Sequence, residues 1–297
     1  MLILNTIDMS TLKRKQLIPS VNFHLWEPCN MRCKFCFATF QDVKQTILPK
    51  GHLPKQKSIE VIKKLAAHGF EKITFAGGEP LLCPWLPELI KIAKELGMTT
   101  MIVTNGSQLT DRFLIDNKNY LDWIAISIDS LKEATNLKIG RAIVGKRSLT
   151  ETFYKEKINL IKYYGYGLKI NTVVNAYNHI ENFIDLINFA QPKRWKVLQV
   201  LPIVGQNDIK IDTCKISKEQ FDSFVNLHSS INSIVPESNN AMKGSYVMID
   251  PAGRFFDNSK GKHNYSDSIV NNDIEKVINE VNYSFNKFIQ RDGVYDW

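Results

Sequence analysis

Cysteine is scarce: only five among 297 residues, an odd number, with three of them inside eight positions. That pattern excludes a disulfide framework and agrees with a reducing compartment. No apolar run approaches the roughly 18 residues of a membrane-spanning helix. The start, MLILNTIDMSTLKRKQLIPS, lacks the signal-peptide order of charge, long apolar stretch and small-residue cleavage site, so a cytoplasmic protein without membrane attachment is expected. There is no internal repeat and no low-complexity linker, which argues against a solenoid or a string of tethered modules. Acidic residues are the minority sign, 30 against 38 lysines and arginines, giving a formal charge of +8. The basic residues are spread along the chain. This favours a local anionic pocket over an extended RNA track, with a polyphosphate, nucleic acid or plain solubility all compatible. Hydrophobic residues at 44% and charged ones at 23% describe a soluble globular protein with a substantial core.

Read in order, 21–26 alternates as a strand and delivers the chain to Cys29-Asn-Met-Arg-Cys33-Lys-Phe-Cys36. The segment 41–57 reads as irregular and exposed, and Ser58 as the cap of a helix that stops at Gly69. Strands are expected at 72–76, 98–104, 123–128, 168–174 and 195–201. Helices are expected at 84–96, 111–117, 150–164 and 180–190. Six strand–helix alternations with short apolar strands predict a parallel sheet with right-handed crossovers. Six units fall short of a closed eight-stranded barrel, so the expected fold is an open partial (β/α)6 barrel, class α/β, with its site at the carboxyl ends of the strands. Topology alone also permits a flavodoxin-like sheet. Beyond this core the rhythm changes: a capping box at Ser217–Gln220 opens a helix to about 234, a loop follows at 236–240, then a hairpin at 245–256 and a last helix near 272–289. The chain divides on this reading into an N-terminal segment 1–18, a core 19–205 and a C-terminal extension 206–297.

Three thiols spaced C-x3-C-x2-C cannot complete a tetrahedral zinc site or fully ligate a four-iron cluster. They can hold three irons of a [4Fe–4S] cluster and leave the fourth open. Taken alone, they are equally readable as packing thiols or as a zinc site completed by His24 or His52; Cys83 and Cys214 read as packing thiols. Gly77-Gly78-Glu79-Pro80 follows the second strand, where missing side chains let backbone carbonyls approach a ligand ammonium. Asn105, Ser127 and Arg141 follow strands three and four and suit a ribose or carboxylate. Lys169 and Asn171 share one face of strand five, and Arg194 and Lys196 one face of strand six. Cations on neighbouring strands suit a ligand carrying several negative charges. Lys243 is a further candidate from the tail.

The cysteine spacing, Phe35 before the third cysteine and the GGEP element resemble the radical SAM superfamily. SVNFH, CNMRCKFCF, KITFAGGEP, TNGS, IGR, KIN, RWKV, PESN with MK-x-SY and a chain ending Asp-Trp are together similar to the viperin family, from about Pro19 to Trp297. The resemblance implies a [4Fe–4S] cluster on Cys29, Cys33 and Cys36. It also implies S-adenosylmethionine (SAM) beside Phe35, Gly77, Gly78, Glu79, Asn105, Ser127 and Arg141. A nucleoside triphosphate (CTP, UTP or GTP) would lie on Asn22, Lys169, Asn171, Arg194, Lys196 and Lys243. The implied reaction removes the ribose 4′ hydrogen by a 5′-deoxyadenosyl radical and expels the 3′ hydroxyl as water. Its product is a 3′-deoxy-3′,4′-didehydro nucleotide that terminates viral RNA synthesis. An electron donor of flavodoxin or ferredoxin type is implied, with an iron–sulfur delivery partner at Asp296-Trp297 and no stable nucleic-acid complex.

Two departures stand out. The first eighteen residues are too few and too weakly amphipathic for the membrane helix of animal viperins, which points to a soluble prokaryotic-type relative. Thr74 stands where animal viperins carry asparagine, a difference that bears on base preference if the position reaches the substrate. The rival readings are another radical SAM enzyme acting on a nucleotide or RNA, and a non-enzymatic iron–sulfur binding protein.

Overall fold

The computed structural model describes residues 16–145 and 148–297, so the expectations for residues 1–15 lie outside the described residues. Ten strands form one sheet: β1 (Ser20–Trp26), β2 (Lys72–Gly77), β3 (Thr99–Thr104), β4 (Trp123–Ser127), β5 (Gly167–Val174), β6 (Arg194–Gln199), β7 (Ile234–Glu237), β8 (Val247–Ile249), β9 (Arg254–Asp257) and β10 (Asn264–Ser268). Their order is β10-β9-β8-β1-β2-β3-β4-β5-β6-β7. From β8 through β7 every pairing is parallel, and only the β8–β9 and β9–β10 pairings are antiparallel. The ladder does not close between its edges β7 and β10, so the structure is the open partial barrel expected of an α/β chain.

Alternation explains both faces of this sheet. On β1, Val21, Phe23 and Leu25 are buried against the helical layer while Ser20, Asn22 and His24 face an inner cavity. On β2, Ile73 and Phe75 point outward to the core, and Lys72, Thr74 and Ala76 point inward. The same period of two places Lys169, Asn171 and Val173 of β5, and Lys196 and Leu198 of β6, on the cavity.

Several boundaries move. The helix expected from Ser58 is Lys55–His68, preceded by Pro54 (φ −59°). Proline is tolerated there because the first helical N–H groups have no intrahelical partner. Ser58 lies buried within its first turn. The helix does stop at Gly69, whose φ of 101° is the left-handed closing turn. A helix at Glu133–Ile139, absent from the sequence reading, ends at Gly140 (φ 76°) and turns the chain back toward the cysteines. The Ser217 capping box forms, but its helix ends at Leu227; 234–237 is a strand instead of helix and loop. Pro236 concealed that strand. It is compatible with β7 because the strand is at the sheet's edge. The hairpin at 245–256 is present as β8 and β9, and β8 also joins the sheet beside β1. The last expected helix is two short ones, Ile274–Ile278 and Phe285–Gln290. Between them the Asn282 N–H donates to Asp257 (2.9 Å), and Ser284 caps the second helix at the Lys287 N–H.

Candidate active site

A single cavity follows the barrel axis, its wall built by the inward residues of β1–β6 together with the cysteine loop and the C-terminal tail. Cys29, Cys33 and Cys36 line it at the carboxyl ends of the strands. Two strips of backbone hold their loop. Arg32 N–H donates to Gly140 O (3.2 Å) and Lys34 N–H to Ile139 O (2.9 Å). On the other side Gly78 N–H donates to Trp26 O, and Glu79 N–H to Pro28 O (3.0 Å). The glycines are required by proximity: a Cβ on Gly78 would meet the backbone of Glu27 and Pro28, and one on Gly140 the backbone of Arg32. Burial pushes all three thiols up, Cys33 to about 12. Thiolates at such a place need the positive charge of bound iron.

The donor set fits a polynuclear cluster better than one ion. The described cysteines do not converge with any His, Asp or Glu into a single-ion cage, which Zn–S bonds of about 2.3 Å would demand. His24 packs edge-on against Phe37, Phe40 and Phe256, and His52 stacks on Trp26 at 4.0 Å, so neither completes a zinc site. Cys83 and Cys214 are buried elsewhere as packing thiols.

Phe35, Gly77, Gly78, Asn105, Ser127 and Arg141 all line the cysteine end of the cavity. Arg141 lies over the Phe35 ring (5.7 Å to the centroid) and is held by buried Asp129, whose Oδ2 accepts from Nε at 2.5 Å while its Oδ1 accepts from Val173 N–H at 2.7 Å. Glu79 is not among the lining residues. Its buried carboxylate accepts from Leu81 N–H, Thr104 Oγ1 and Asn105 N–H, so the side chain braces the loop after β3.

The other end carries cations. Lys72, Lys169, Lys196 and Arg291 line it beside Asn22, Thr74, Asn171 and Tyr246. Asn171 Oδ1 is buried without a hydrogen-bond partner. Burial, reinforced by Lys196, Arg194 and Arg291, lowers Lys72 to about 6. Burial, with Lys196 and Lys72 beside it, holds Lys169 well below the usual lysine range. Lys196 falls only to about 8, because Glu237 offsets its burial. Two expected residues are not among the lining. Arg194, on the same face of β6 as Lys196, has Nη1 on Asp292 Oδ2 (3.2 Å), Nη2 on Asp292 O (2.7 Å) and its guanidinium over Tyr295 (4.2 Å), which itself lines the cavity. Lys243 caps the short helix Asn239–Met242 outside the lining, its carbonyl accepting from Lys287 Nζ. The sequence reading missed Lys72, Arg291, Tyr246 and Tyr295. Lys72 was recoverable from its period-two spacing with Thr74 on β2; Arg291 reaches the cavity from a tail that carries no such pattern.

A parallel partial barrel with a three-cysteine loop, a glycine-rich turn after β2 and an Arg–Asp pair after β4 defines a class, and the comparisons name it. The radical SAM superfamily profile matches residues 26–190, more than half of the chain. Among solved structures, Streptococcus suis SuiB bound to S-adenosylmethionine superposes with a TM-score of 0.65 at 13% identity, covering 87% of this chain and 65% of that one; anSMEcpe with bound AdoMet superposes at 0.58. A protein of Lacinutrix mariniflava named S-adenosylmethionine-dependent nucleotide dehydratase is 65% identical over 94% of this chain and 59% of its own length. One of the same name from Flammeovirga pacifica is 55% identical over 95% of this chain and 97% of its own, and the Danio rerio protein of that name with the suffix RSAD2 is 36% identical over 94% and 78%. The chain belongs to the radical SAM superfamily and, within it, to the family of the S-adenosylmethionine-dependent nucleotide dehydratases. Its cofactors are accordingly a [4Fe–4S] cluster and SAM. No helix among the described residues is long and apolar enough to cross a membrane.

Proposed function

We propose that the protein dehydrates a ribonucleoside triphosphate to its 3′-deoxy-3′,4′-didehydro analogue, a chain terminator in antiviral defence, with the triphosphate on the cations and the ribose toward the cysteines. The observation that carries this is charge. Lys72, Lys169, Lys196 and Arg291 converge in one buried space where one carboxylate, Glu237, pairs with two of them, and buried cations short of counter-ions are costly. A polyphosphate supplies the missing charge where a monophosphate would leave several cations unmatched.

When bound, the cluster and SAM would supply the 5′-deoxyadenosyl radical chemistry by which the ribose C4′ hydrogen is removed. The 3′ hydroxyl departs as water with one proton and one electron, the electron coming from a donor of flavodoxin or ferredoxin type. Cys29, Cys33 and Cys36 ligate iron. Phe35, Gly77, Gly78, Asn105, Ser127 and Arg141 hold SAM. Asn22, Lys169, Asn171 and Lys196, joined by Lys72, Thr74 and Arg291, orient the nucleotide, with Arg194 supporting from the same face of β6. Residues 206–297 act as the extension that completes and covers the nucleotide site of the 19–205 core. The walls exclude water, which preserves the reactive centre and strengthens each charge contact. The reaction is assigned to the cytoplasm, with an iron–sulfur delivery partner docking at Asp296-Trp297.

The test is an anaerobic assay of cluster-loaded protein with SAM, reductant and each ribonucleoside triphosphate in turn, read by mass spectrometry. The expected result is 5′-deoxyadenosine together with one nucleotide lighter by a water. Deoxyadenosine without a dehydrated nucleotide would leave another radical SAM reaction and remove this one.

A further inference from the structure

Behind the cations stands one carboxylate that no part of the chemistry uses. Glu237 ends β7, one edge strand of the open sheet, whose other edge is β10. It is fully buried and is not part of the cavity wall. Its carboxylate pairs with Lys196 Nζ from β6, accepts from Arg291 Nη1 (3.3 Å) from the last helix's end, and accepts from the Tyr246 hydroxyl just before β8. Tyr246 in turn accepts from Lys196 Nζ (2.5 Å) and lies under the Arg291 guanidinium (3.7 Å to the ring). Arg291 is also fixed by Ser245 O, from Nε and Nη2 at 3.1 and 3.0 Å.

We infer that Glu237 is the positioning residue of the anion site: one buried carboxylate that gathers Lys196, Arg291 and Tyr246 from three separate elements before the polyphosphate arrives. This deepens the reading of the site given above and rests on it.

The physical argument is a contrast among three lysines in the same cavity. Lys196 faces Glu237 on β7, Tyr246 before β8, Arg291 in the tail, Arg194 on its own strand and Lys169 on β5, with Lys72 and Tyr295 across the space. Lys72 and Lys169 share that positive surrounding; among the described residues neither has a hydrogen bond or ion pair to a carboxylate, and for Lys169 the pull of Glu237 comes behind the repulsion of Lys196 and Lys72. Lys72 falls further than Lys196 does. At neutral pH the free site is therefore partly discharged at Lys72 and charged at Lys196, and polyphosphate binding draws protons onto Lys72. Removing the Glu237 charge adds Lys196 to the groups that must be protonated on binding. It also removes a negative neighbour from the bound phosphates. Acid pH then favours the variant and alkaline pH penalises it.

The experiment uses cluster-loaded protein and inorganic tripolyphosphate, titrated calorimetrically across pH in buffers of different ionisation heat, so that affinity and proton uptake are both read. Wild type is expected to take up protons on binding. Glu237→Gln should take up more, with its affinity relative to wild type falling about tenfold for each pH unit by which Lys196 is depressed. Arg291→Gln should move the dependence the opposite way, because Glu237 then serves Lys196 alone, and it keeps the test alive should Glu237→Gln not fold. Parallel pH curves for wild type and both variants, as a merely structural carboxylate would give, overturn the inference. So does a wild type that binds no tripolyphosphate. Turnover with nucleoside triphosphates, measured separately, decides the reaction itself, so the two failures are distinguishable.

Discussion

The cysteine loop is positioned by contacts so close that one methyl group should displace it, and Gly78→Ala is the sharpest probe. A Cβ there would lie 2.6 Å from the Pro28 carbonyl carbon and nearer still to the carbonyl oxygens of Glu27 and Pro28. Carbon atoms pack at about 3.5 Å, so the two strips must part by about 0.9 Å. None of the opposing atoms belongs to a side chain that can rotate away, and Pro28 is joined directly to Cys29. Overpacking of this kind costs about 1–3 kcal/mol. For a domain of this size that lowers Tm by about 2–5 °C. The larger effect should be on chemistry, since a misplacement near 1 Å in a positioned reaction centre costs about a hundredfold. Differential scanning fluorimetry of cluster-loaded protein and the rate of 5′-deoxyadenosine formation read the two effects separately. A variant with the wild-type Tm and wild-type rate would refute the argument that this glycine sets the loop's place.

Three further outcomes follow from the same structure. Asp129→Asn removes the buried carboxylate that pairs with the half-buried Arg141 guanidinium and should cost about 3 kcal/mol in urea unfolding; an unchanged midpoint would show that Arg141 finds other compensation. Burial, with His263 close by, lowers His24 to about 3, and burial lowers His263 to about 4. Both lie below the ordinary 6.5, so the unfolded chain takes up protons first as pH falls. Stability is therefore lost from just below pH 6.5 down through these folded values, at about 1.4 kcal/mol per pH unit for each histidine. His263→Gln should flatten that slope in urea titrations between about pH 7 and pH 5, and an unaltered slope counts against it. Deleting Tyr295–Trp297 strips the aromatic cover from Lys72, Arg194, Met101 and Trp123 and should cost about 2 kcal/mol, read as a lower urea midpoint; no change would mean the tail contributes nothing to the barrel floor.

The parallel core was legible because each of its strands is a short apolar run followed by an amphipathic helix, a pattern set by residues near one another in the chain. The helix stops at Gly69, Gly97 and Gly165 were legible for the same reason, since each needs a positive φ that glycine adopts freely. The helix at Glu133–Ile139 was not. It is seven residues long with Thr135 and Asn136 buried as polar groups, so its inward face carries little apolar period. β7 was hidden by Pro236, which is a strand breaker anywhere except at an edge, and nothing local says that 234–237 is an edge.

The candidate site divides along the same line. The three cysteines, the two glycines and the cations of β5 and β6 were fixed by spacing within single segments, because period-two alternation decides which side chains share a face before any partner strand is known. What only the tertiary structure decided is which of those groups meet. It set the Glu79 carboxylate on the loop after β3, paired Arg194 with Asp292, and left Lys243 outside the lining. It brought Arg291 and Tyr246 from the tail to Lys196 through Glu237. Those contacts join residues about 40 to 100 positions apart through side chains instead of a ladder. Such a contact leaves no period in the sequence, because its geometry belongs to the meeting of elements and not to any one of them.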